Sequence, residues 1–328
     1  MLFSASTFPR LRPQKPPNKG AVRTCVIFNP TAKGDKARRF RRHLDEIAAE
    51  STLKQTSGVG DARRLAAEAV REGFEVVVAA GGDGTMNEVL NGMGDVPDGF
   101  QRARFGVLPL GTVNVFAREL GIPTRLERAW QTIRDGHDVA IDLGYVEYFE
   151  KGAPARRYFA QLAGAGLDAR AIELVHWPLK KKIGPLAYVV AGLKALLQRQ
   201  SEITVTDGEH SATGELVLIG NGRFYGGPFA VFPQAGLRDG VLDVRVFRRI
   251  NWTVLARRGP ALLLRKTLAP EATANFRSGA FTLNCTRPTP LEVDGEAIGH
   301  LPAKFLVRGA AVRVRVSEVR DPGLPRDG

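Results

Sequence analysis

The sequence has few of the residues that form metal centres or disulfide frameworks. Its 328 residues include two cysteines without Cys-x-x-Cys spacing and five histidines that show no metal-ligand spacing. These features argue against a zinc enzyme and against a disulfide scaffold, and they suit a reducing cytoplasm. The absence of a Gly-x-Ser-x-Gly motif also removes the support for a serine hydrolase.

Long apolar segments are missing as well. No run of about 18 apolar residues occurs, so we expect no membrane-spanning helix. Residues 1–20 carry prolines and basic residues and lack the continuous apolar stretch of a secretory signal. We therefore expect a loose basic tail at 1–20 and a second tail at 319–328. With 44% hydrophobic residues, the remaining chain is long enough for two cores.

Two common phosphate-binding fingerprints are absent, but a different glycine-rich loop is present. The chain has neither Gly-x-x-x-x-Gly-Lys-Ser/Thr nor a Gly-x-Gly-x-x-Gly that opens a helix after a strand. Instead, the apolar run 74–80 leads directly into Gly-Gly-Asp-Gly-Thr-Met-Asn-Glu at residues 81–88. Glycines let backbone N–H groups approach anionic oxygens, a following helix adds its dipole, and Asp83 can hold a metal. The alternative is a tight turn capped by Asp83.

A second loop of the same kind supports the phosphate interpretation. An apolar strand pattern over 107–110 ends in Gly111, Thr112 and Asn114, and a helical pattern follows. Loops at the carboxyl ends of neighbouring parallel strands converge on one ligand, so the pair is more specific than either loop alone.

At these two motifs the chain resembles the diacylglycerol kinase catalytic-domain family, a group of lipid kinases that includes sphingosine and ceramide kinases, and it is similar to the bacterial-type members. Further matching segments follow in the family's order, at residues 29–34, 164–169, 237–243 and 292–296. The first glycine motif alone is shared with NAD kinases and phosphofructokinases. Its combination with Gly-Thr-x-Asn-x-Phe-Ala and a late Asp-Gly-Glu is more specific.

The resemblance implies an ATP- and Mg²⁺-dependent phosphoryl transfer and assigns residues to it. Asp83 is expected to engage Mg²⁺ or its water shell, and Asp142 is a weaker second carboxylate of the metal network. The residues expected to hold the nucleotide and its phosphates are Asn29, Thr56, Gly81, Gly82, Asp83, Gly84, Thr85, Asn87, Gly111, Thr112 and Asn114.

Glu296 is the expected general base. A free glutamate with a pKa of about 4.3 is a poor base for an alcohol, so the site must bring hydroxyl and carboxylate within hydrogen-bond reach. The residues alone favour a different interpretation, in which Asp294 and Gly295 form a β-turn and Glu296 is exposed. The resemblance reverses that preference.

The resemblance also implies a structural Mg²⁺ at a tight turn near residue 239. Asp239 would ligate it through its side chain, and Gly236 and Val241 would offer carbonyl oxygens, although an ordinary Asp-Gly turn is an equal alternative. One position departs from the family. Many bacterial members carry an aspartate directly after the asparagine of Gly-Thr-x-Asn, where this chain has Val115. A variant metal arrangement, a different lipid or lost activity would each explain that change.

The net charge of +13 points to an anionic partner. Basic residues cluster at 33–42, at 180–182 and at Arg257, Arg258, Arg265 and Lys266, without the aromatic-rich strands of an RNA-recognition module. We expect an anionic membrane surface and a lipid alcohol substrate, no nucleic acid, and a cytoplasmic protein bound peripherally at the inner membrane face. Solvated basic faces without a partner are the alternative. The sequence is also compatible with a homodimer.

The order of patterns predicts an α/β protein of two domains. Strands and helices alternate over 21–145, which predicts a mainly parallel α/β nucleotide-binding domain of the kind found in NAD kinases and phosphofructokinases. Residues 146–318 predict a β-sandwich-like lipid-substrate domain, with strand-like runs at 203–206, 214–220, 242–247, 280–283, 290–293 and 304–316, one helix at 185–200, and a last segment that could return to the first domain.

Three functions are compatible with these features. The first is a lipid kinase that acts on diacylglycerol or another lipid alcohol. The second is an NAD kinase-like enzyme, whose soluble substrate would make its activity independent of vesicles. The third is a non-catalytic nucleotide- or lipid-binding protein, which would bind without turnover.

Overall fold

The structure is a computed structural model that describes residues 22–30, 35–167, 169–170, 200–249 and 273–317. The predicted tails, residues 185–199 of the predicted helix and the basic clusters at 180–182 and 257–266 lie outside these ranges. The chain divides into two compact units. Among the described residues, unit 1 comprises those within 22–112, 122–139 and 313–317, and unit 2 comprises those within 113–121 and 140–312.

Strands and helices alternate through the first part of the chain, as the apolar patterns predict. The elements are β1 (Thr24–Phe28), α1 (Asp35–Arg42), α2 (Leu44–Glu50), β2 (Thr52–Gln55), α3 (Asp61–Arg71), β3 (Val76–Gly81), α4 (Asp83–Gly94), α5 (Gly99–Arg102), β4 (Arg104–Pro109), α6 (Val115–Glu119) and α7 (Leu126–Asp135).

The sheet of unit 1 is parallel. β1 pairs with β2 on one side and with β3 on the other, and β3 pairs with β4, all in parallel. Every residue of β3 is buried, which explains why its sequence is a continuous apolar run without polar alternation. The prediction of a mainly parallel α/β fold is therefore confirmed. Since all strands run the same way, their carboxyl ends meet at one edge of the sheet.

Cys25 lies in the middle of this sheet, on β1. Its side chain is fully buried, and removal from water raises the pKa of its thiol to about 12. Cys25 and Cys285 are both free thiols. Cys25 therefore acts as a small apolar core residue, since its thiolate form is strongly disfavoured.

Unit 2 is rich in antiparallel strands. The elements are β5 (His137–Glu150), β6 (Ala153–Phe159), β7 (Leu162–Gly166), β8 (Ile203–Thr206), β9 (Ser211–Gly214), β10 (Leu216–Gly220), β11 (Phe224–Tyr225), β12 (Phe229–Ala230), β13 (Leu242–Phe247), β14 (Thr273–Ser278), β15 (Ala280–Cys285), β16 (Pro290–Val293) and β17 (Glu296–Val316). One run of paired strands has the order β14-β13-β10-β7-β16-β17, and β5 pairs with both β6 and β17. The main core contains side chains such as Phe159, Val217, Val244, Phe281 and Phe305.

The long strand β17 belongs to both units. Its first part pairs with β16 and β15 in unit 2, and Val314 near its end pairs in parallel with Phe105 of β4. Residues 313–317 accordingly group with unit 1. Among the residues that the structure describes, no helix combines the length and the apolar content needed to cross a bilayer.

Candidate active site

The first glycine loop joins the buried strand β3 to helix α4. Gly82 is the extended N-cap residue, and the first intrahelical bond runs from the Met86 N–H to the Gly82 carbonyl at 3.1 Å. Asp83, Gly84 and Thr85 therefore form the first turn, where the positive end of the helix dipole favours an anion. A Cβ on Gly81 would lie 2.5 Å from Thr85 Oγ1, so the Thr85 hydroxyl can fold over this position only because residue 81 is glycine.

The second glycine loop is hydrogen-bonded to the first. The Gly81 carbonyl accepts the N–H groups of Leu110 at 2.9 Å and Gly111 at 3.2 Å, directly after β4 ends. A Cβ on Gly82 would lie 3.4 Å from Gly111 Cα, so the two loops touch through backbone. Thr112, the next residue, is exposed. The structure thus brings together the two loops that the sequence predicts to share a ligand.

Two further predicted residues lie at the same edge of the sheet. Asn29 is exposed directly after β1 ends, and Thr56 follows β2, with its N–H donated to the Phe28 carbonyl at 3.0 Å. Residues 29, 56, 81–85 and 111–112 therefore all follow the carboxyl ends of parallel strands in unit 1. That edge is where ligands bind in open α/β sheets.

The side chains of Asn87 and Glu88 make hydrogen bonds within α4 and to the start of α3. Asn87 is fully buried, and its Oδ1 accepts a hydrogen bond from Asn91 Nδ2 at 3.1 Å, which gives it a place in the helix core. Glu88 accepts the N–H groups of Gly60 at 2.9 Å and Ala62 at 3.1 Å at the start of α3. Sequence reasoning assigned no role to Glu88, although it closes the glycine motif. Its carboxylate fixes the loop that carries Thr56.

Asn114 and Val115 lie in the segment Val113–Gly121, which groups with unit 2. Asn114 is buried, with a left-handed backbone at φ 52°, and its carbonyl accepts the Arg118 N–H at 3.0 Å. Val115 is the first residue of α6 and is half-buried. The position where the family resemblance implies an aspartate thus opens a helix with an apolar side chain.

Glu296 is the first residue of β17 and follows a two-residue hairpin loop. Asp294 and Gly295 have φ values of 46° and 83°, and Val293 pairs with Glu296 across the turn. Positive φ at both loop residues is what a type I′ hairpin requires, so the predicted turn at Asp294-Gly295 is present. Glu296 is half-buried, and its Oε2 accepts a hydrogen bond from Arg157 Nη2 at 2.5 Å.

The hairpin loop is fastened by the carboxylate of Asp294. It accepts three successive backbone N–H groups, those of Ala160 at 2.9 Å, Gln161 at 3.0 Å and Leu162 at 3.1 Å. The Asp294 N–H in turn donates to the Leu162 carbonyl at 2.8 Å. Charge-assisted bonds of this kind are stronger than neutral ones, so the turn before Glu296 is rigid. Neither this clamp nor Arg157 was recognised from the sequence.

Asp142 has a structural environment rather than that of a metal ligand. The residue is buried, its Oδ1 accepts the Ala310 N–H at 2.6 Å, and its Oδ2 accepts the Gly240 N–H at 2.8 Å. Its own N–H donates to the Leu237 carbonyl at 2.7 Å. Because both carboxylate oxygens hold backbone N–H groups, this geometry favours a clamp between loop 237–240 and β17 over the predicted place in a metal network.

The turn that carries Asp239 does not fit the predicted structural cation. The Asp239 carboxylate accepts the N–H groups of Gly236 at 3.1 Å and Val241 at 3.3 Å, and it contacts the Arg277 guanidinium. Arg277 Nε also donates to Asp243 Oδ2 at 3.2 Å. Burial raises the pKa of Asp243, and the charge of Arg277 acts in the opposite direction. A divalent cation at Asp239 would have to displace the guanidinium. Within the described ranges, no cluster of three or more His, Cys, Asp or Glu side chains could hold a metal ion.

Comparisons with known proteins agree with this organisation. The chain matches the diacylglycerol kinase catalytic domain over residues 23–146 and the YegS C-terminal NAD kinase beta sandwich-like domain over residues 161–316. It is 31% identical over 300 residues to a diacylglycerol kinase of Staphylococcus carnosus (strain TM300), which covers 87% of this chain and 92% of the relative. A diacylglycerol kinase of Staphylococcus aureus (strain bovine RF122 / ET3-1) is also 31% identical, with 87% and 89% covered.

Solved structures share the fold. A diacylglycerol kinase from Bacillus anthracis str. Sterne superimposes with a TM-score of 0.67 at 19% identity and covers 91% of this chain and 98% of its own. Yeast NADH kinase complexed with NADH superimposes with a TM-score of 0.50 at 10% identity, with 94% and 89% covered. These likenesses confirm the predicted fold class, with its NAD kinase-like arrangement and its β-rich second part. The matched domains and the relatives at 31% identity show that the chain belongs to the diacylglycerol kinase family, which confirms the predicted lipid kinase class.

Proposed function

We propose that this protein transfers the γ-phosphoryl group of ATP to the hydroxyl of a lipid alcohol, with diacylglycerol as the first candidate. The observation that carries the proposal is the pair of hydrogen bonds from Leu110 and Gly111 to the Gly81 carbonyl. They hold two glycine loops against each other where parallel strands end. Backbone N–H groups can approach phosphate oxygens closely there, because no Cβ shields Gly81, Gly82, Gly84 or Gly111.

The residues of the first loop divide the work of binding. The N-terminus of α4 attracts the phosphates, and Asn29 and Thr56 lie at the neighbouring strand ends for the rest of the nucleotide. Asp83, half-buried in the first turn of α4, is the carboxylate that would hold Mg²⁺ directly or through water. When bound, Mg²⁺ would supply positive charge to the transferring phosphoryl group.

Glu296 accepts the proton of the lipid hydroxyl in this proposal. Phosphoryl transfer asks little covalent chemistry of the protein, so the base must mainly be ionised and correctly placed. The hairpin clamped by Asp294 supplies a fixed backbone for it. The ion pair with Arg157 restricts its side chain.

The lipid is delivered, in our proposal, by an anionic membrane surface. A net charge of +13 attracts the protein to such a surface, and each basic side chain near an anionic leaflet contributes about 1 kcal/mol. We propose a cytoplasmic protein that binds peripherally to the inner face of the membrane. Val115 stands where the family resemblance implies an aspartate. For that reason a sphingoid base or another lipid alcohol is the second candidate substrate after diacylglycerol.

The Asp83→Asn variant tests the proposal together with its substrate class. Radiolabelled ATP is supplied with Mg²⁺ and a panel of lipid alcohols in mixed micelles, and NAD is tested in parallel. We expect the wild type to label a lipid, and Asp83→Asn to abolish the transfer with little loss of stability, because a loop carboxylate that serves a metal acts mainly when Mg-ATP is bound.

Asp135→Asn, an exposed change at the end of α7, is the matched control. Labelling of NAD alone would indicate the NAD kinase-like function, and ATP binding without any product would indicate a binding protein. Near wild-type turnover of Asp83→Asn in saturating Mg²⁺ would contradict the role of Asp83.

The Glu296→Gln variant tests the base. Glutamine keeps the size of the side chain but cannot accept the proton, so kcat should fall by about 10²- to 10⁴-fold. Nucleotide affinity, measured by calorimetry, should barely change. Glu150→Gln, at the exposed end of β5, serves as the control. If Glu296→Gln retains most of the activity, the Asp-Gly turn has no chemical role and another base must exist.

A further inference from the structure

Arg157 makes a direct contact with the proposed base, and it lies on a different strand. The distance from Arg157 Nη2 to Glu296 Oε2 is 2.5 Å, although the two residues are 139 positions apart in the chain. The Arg157 side chain is 16% exposed and that of Glu296 is 35% exposed. An ion pair that is partly withdrawn from water is screened less than a surface pair, so it restricts both side chains more effectively.

Strand alternation explains why only one of two adjacent arginines makes this contact. Arg156 and Arg157 are neighbours on β6, and successive side chains of a strand point to opposite faces. Arg157 pairs with Val146 of β5 and is partly buried, whereas Arg156 pairs with Glu147 and is exposed. The chain thus contains its own matched control for the charge and size of Arg157.

The same segment holds both the turn and the side chain of the proposed base. Residues 160–162 donate three N–H groups to Asp294, and Arg157 lies three residues before them. The backbone of the hairpin and the carboxylate of Glu296 are therefore held from one stretch, residues 157–162. Because its backbone is held through Asp294 and its carboxylate is held by Arg157, Glu296 loses little conformational entropy when the lipid hydroxyl binds.

We propose that Arg157 is a positioning residue that orients Glu296 for proton transfer. The proposal rests on the proposed function. The guanidinium donates to Oε2 and leaves one orientation of the side chain preferred. Arg157 acts through Glu296 and needs no contact with the nucleotide, so its loss should change kcat and leave the KM for ATP unchanged.

The kinetic test compares variants of both arginines. Arg157→Gln should lower kcat by about 10- to 100-fold with an unchanged KM for ATP, and Arg157→Lys should recover part of that loss, because an ammonium keeps the charge. Arg156→Gln should resemble the wild type.

Arg157→Gln added to Glu296→Gln should lower kcat no further, since the two residues act as a unit. A wild-type kcat for Arg157→Gln, or a further loss in the double variant, would overturn the proposal. Full activity of Glu296→Gln would instead overturn the base assignment of the proposed function.

A second measurement does not need turnover. In protein labelled with ¹³C at the glutamate side-chain carboxyl carbon, the Glu296 resonance is the one that disappears in Glu296→Gln. We expect it to shift in Arg157→Gln and to keep its position in Arg156→Gln. An identical resonance in Arg157→Gln and in the wild type would show that the guanidinium does not hold the carboxylate, which would overturn the proposal whatever the substrate is.

An independent observation concerns the turn of Asp239. We infer that the Arg277 guanidinium replaces the structural cation that the family resemblance implies there. Arg277 contacts the carboxylates of Asp239 and Asp243 at once, and the Asp239 carboxylate accepts the N–H groups of the residues whose carbonyls would have been ligands. One fixed cation already pairs with both carboxylates, and it occupies the side of the Asp239 carboxylate that a metal would need.

Thermal unfolding without nucleotide tests this replacement. The melting temperature of the wild type should be the same in EDTA and in millimolar Mg²⁺. Arg277→Gln should lower it by about 2 to 4 °C in EDTA, and Mg²⁺ should restore part of the loss by binding the exposed carboxylates. Arg238→Gln, an exposed change on the same turn, should do neither, and Arg277→Lys should stay independent of Mg²⁺. A wild-type melting temperature that falls in EDTA would overturn the inference.

Discussion

The carboxylate of Asp294, bonded to three successive backbone N–H groups, is the constraint on which the arrangement around Glu296 depends. It fastens a two-residue hairpin to residues 160–162. The same segment is tied further, because Asn221 Nδ2 donates to the carbonyls of Ala160 at 2.8 Å and Asp142 at 3.0 Å. Asp142 in turn holds Gly240 and Ala310 through its carboxylate. Buried carboxylates are costly unless they are fully bonded, and here the bonds go to backbone groups of separate loops. These hydrogen bonds offset the cost of removing the carboxylates from water, and they also fix the turns.

The glycine loops of unit 1 depend on a simpler constraint, the common direction of four parallel strands. Because β1, β2, β3 and β4 end at the same edge, Asn29, Thr56 and the two glycine loops gather there, and backbone hydrogen bonds from Leu110 and Gly111 to Gly81 join the two loops. The Glu88 carboxylate then orders the start of α3 behind Thr56. In the proposed function, backbone N–H groups of this unit hold the phosphates and Glu296 accepts the proton.

Local sequence patterns were sufficient for most of the fold. Strands at 203–206, 242–247 and 290–293 have the predicted bounds, because alternating or continuous apolar runs bounded by turn residues carry the needed information. Strand β7 was not predicted, since its Leu-Ala-Gly-Ala-Gly sequence has little intrinsic strand preference and is ordered by pairing with β10 and β16. The site was predictable where glycine and hydroxyl residues follow strands. The partners of Glu296, Asp142 and Asp239 were not, because Arg157, Ala310 and Arg277 are far away in sequence and no local pattern marks them.

Hydrogen exchange at the amides of Ala160, Gln161 and Leu162 tests most directly whether the Asp294 clamp places the proposed base. The wild type should protect all three amides strongly, and Asp294→Ala should expose them together while ATP affinity stays unchanged and phosphoryl transfer falls nearly as far as in Glu296→Gln. Rapid exchange of these amides in the wild type, or an Asp294→Ala variant that loses their protection and still transfers phosphate at the wild-type rate, would contradict the account.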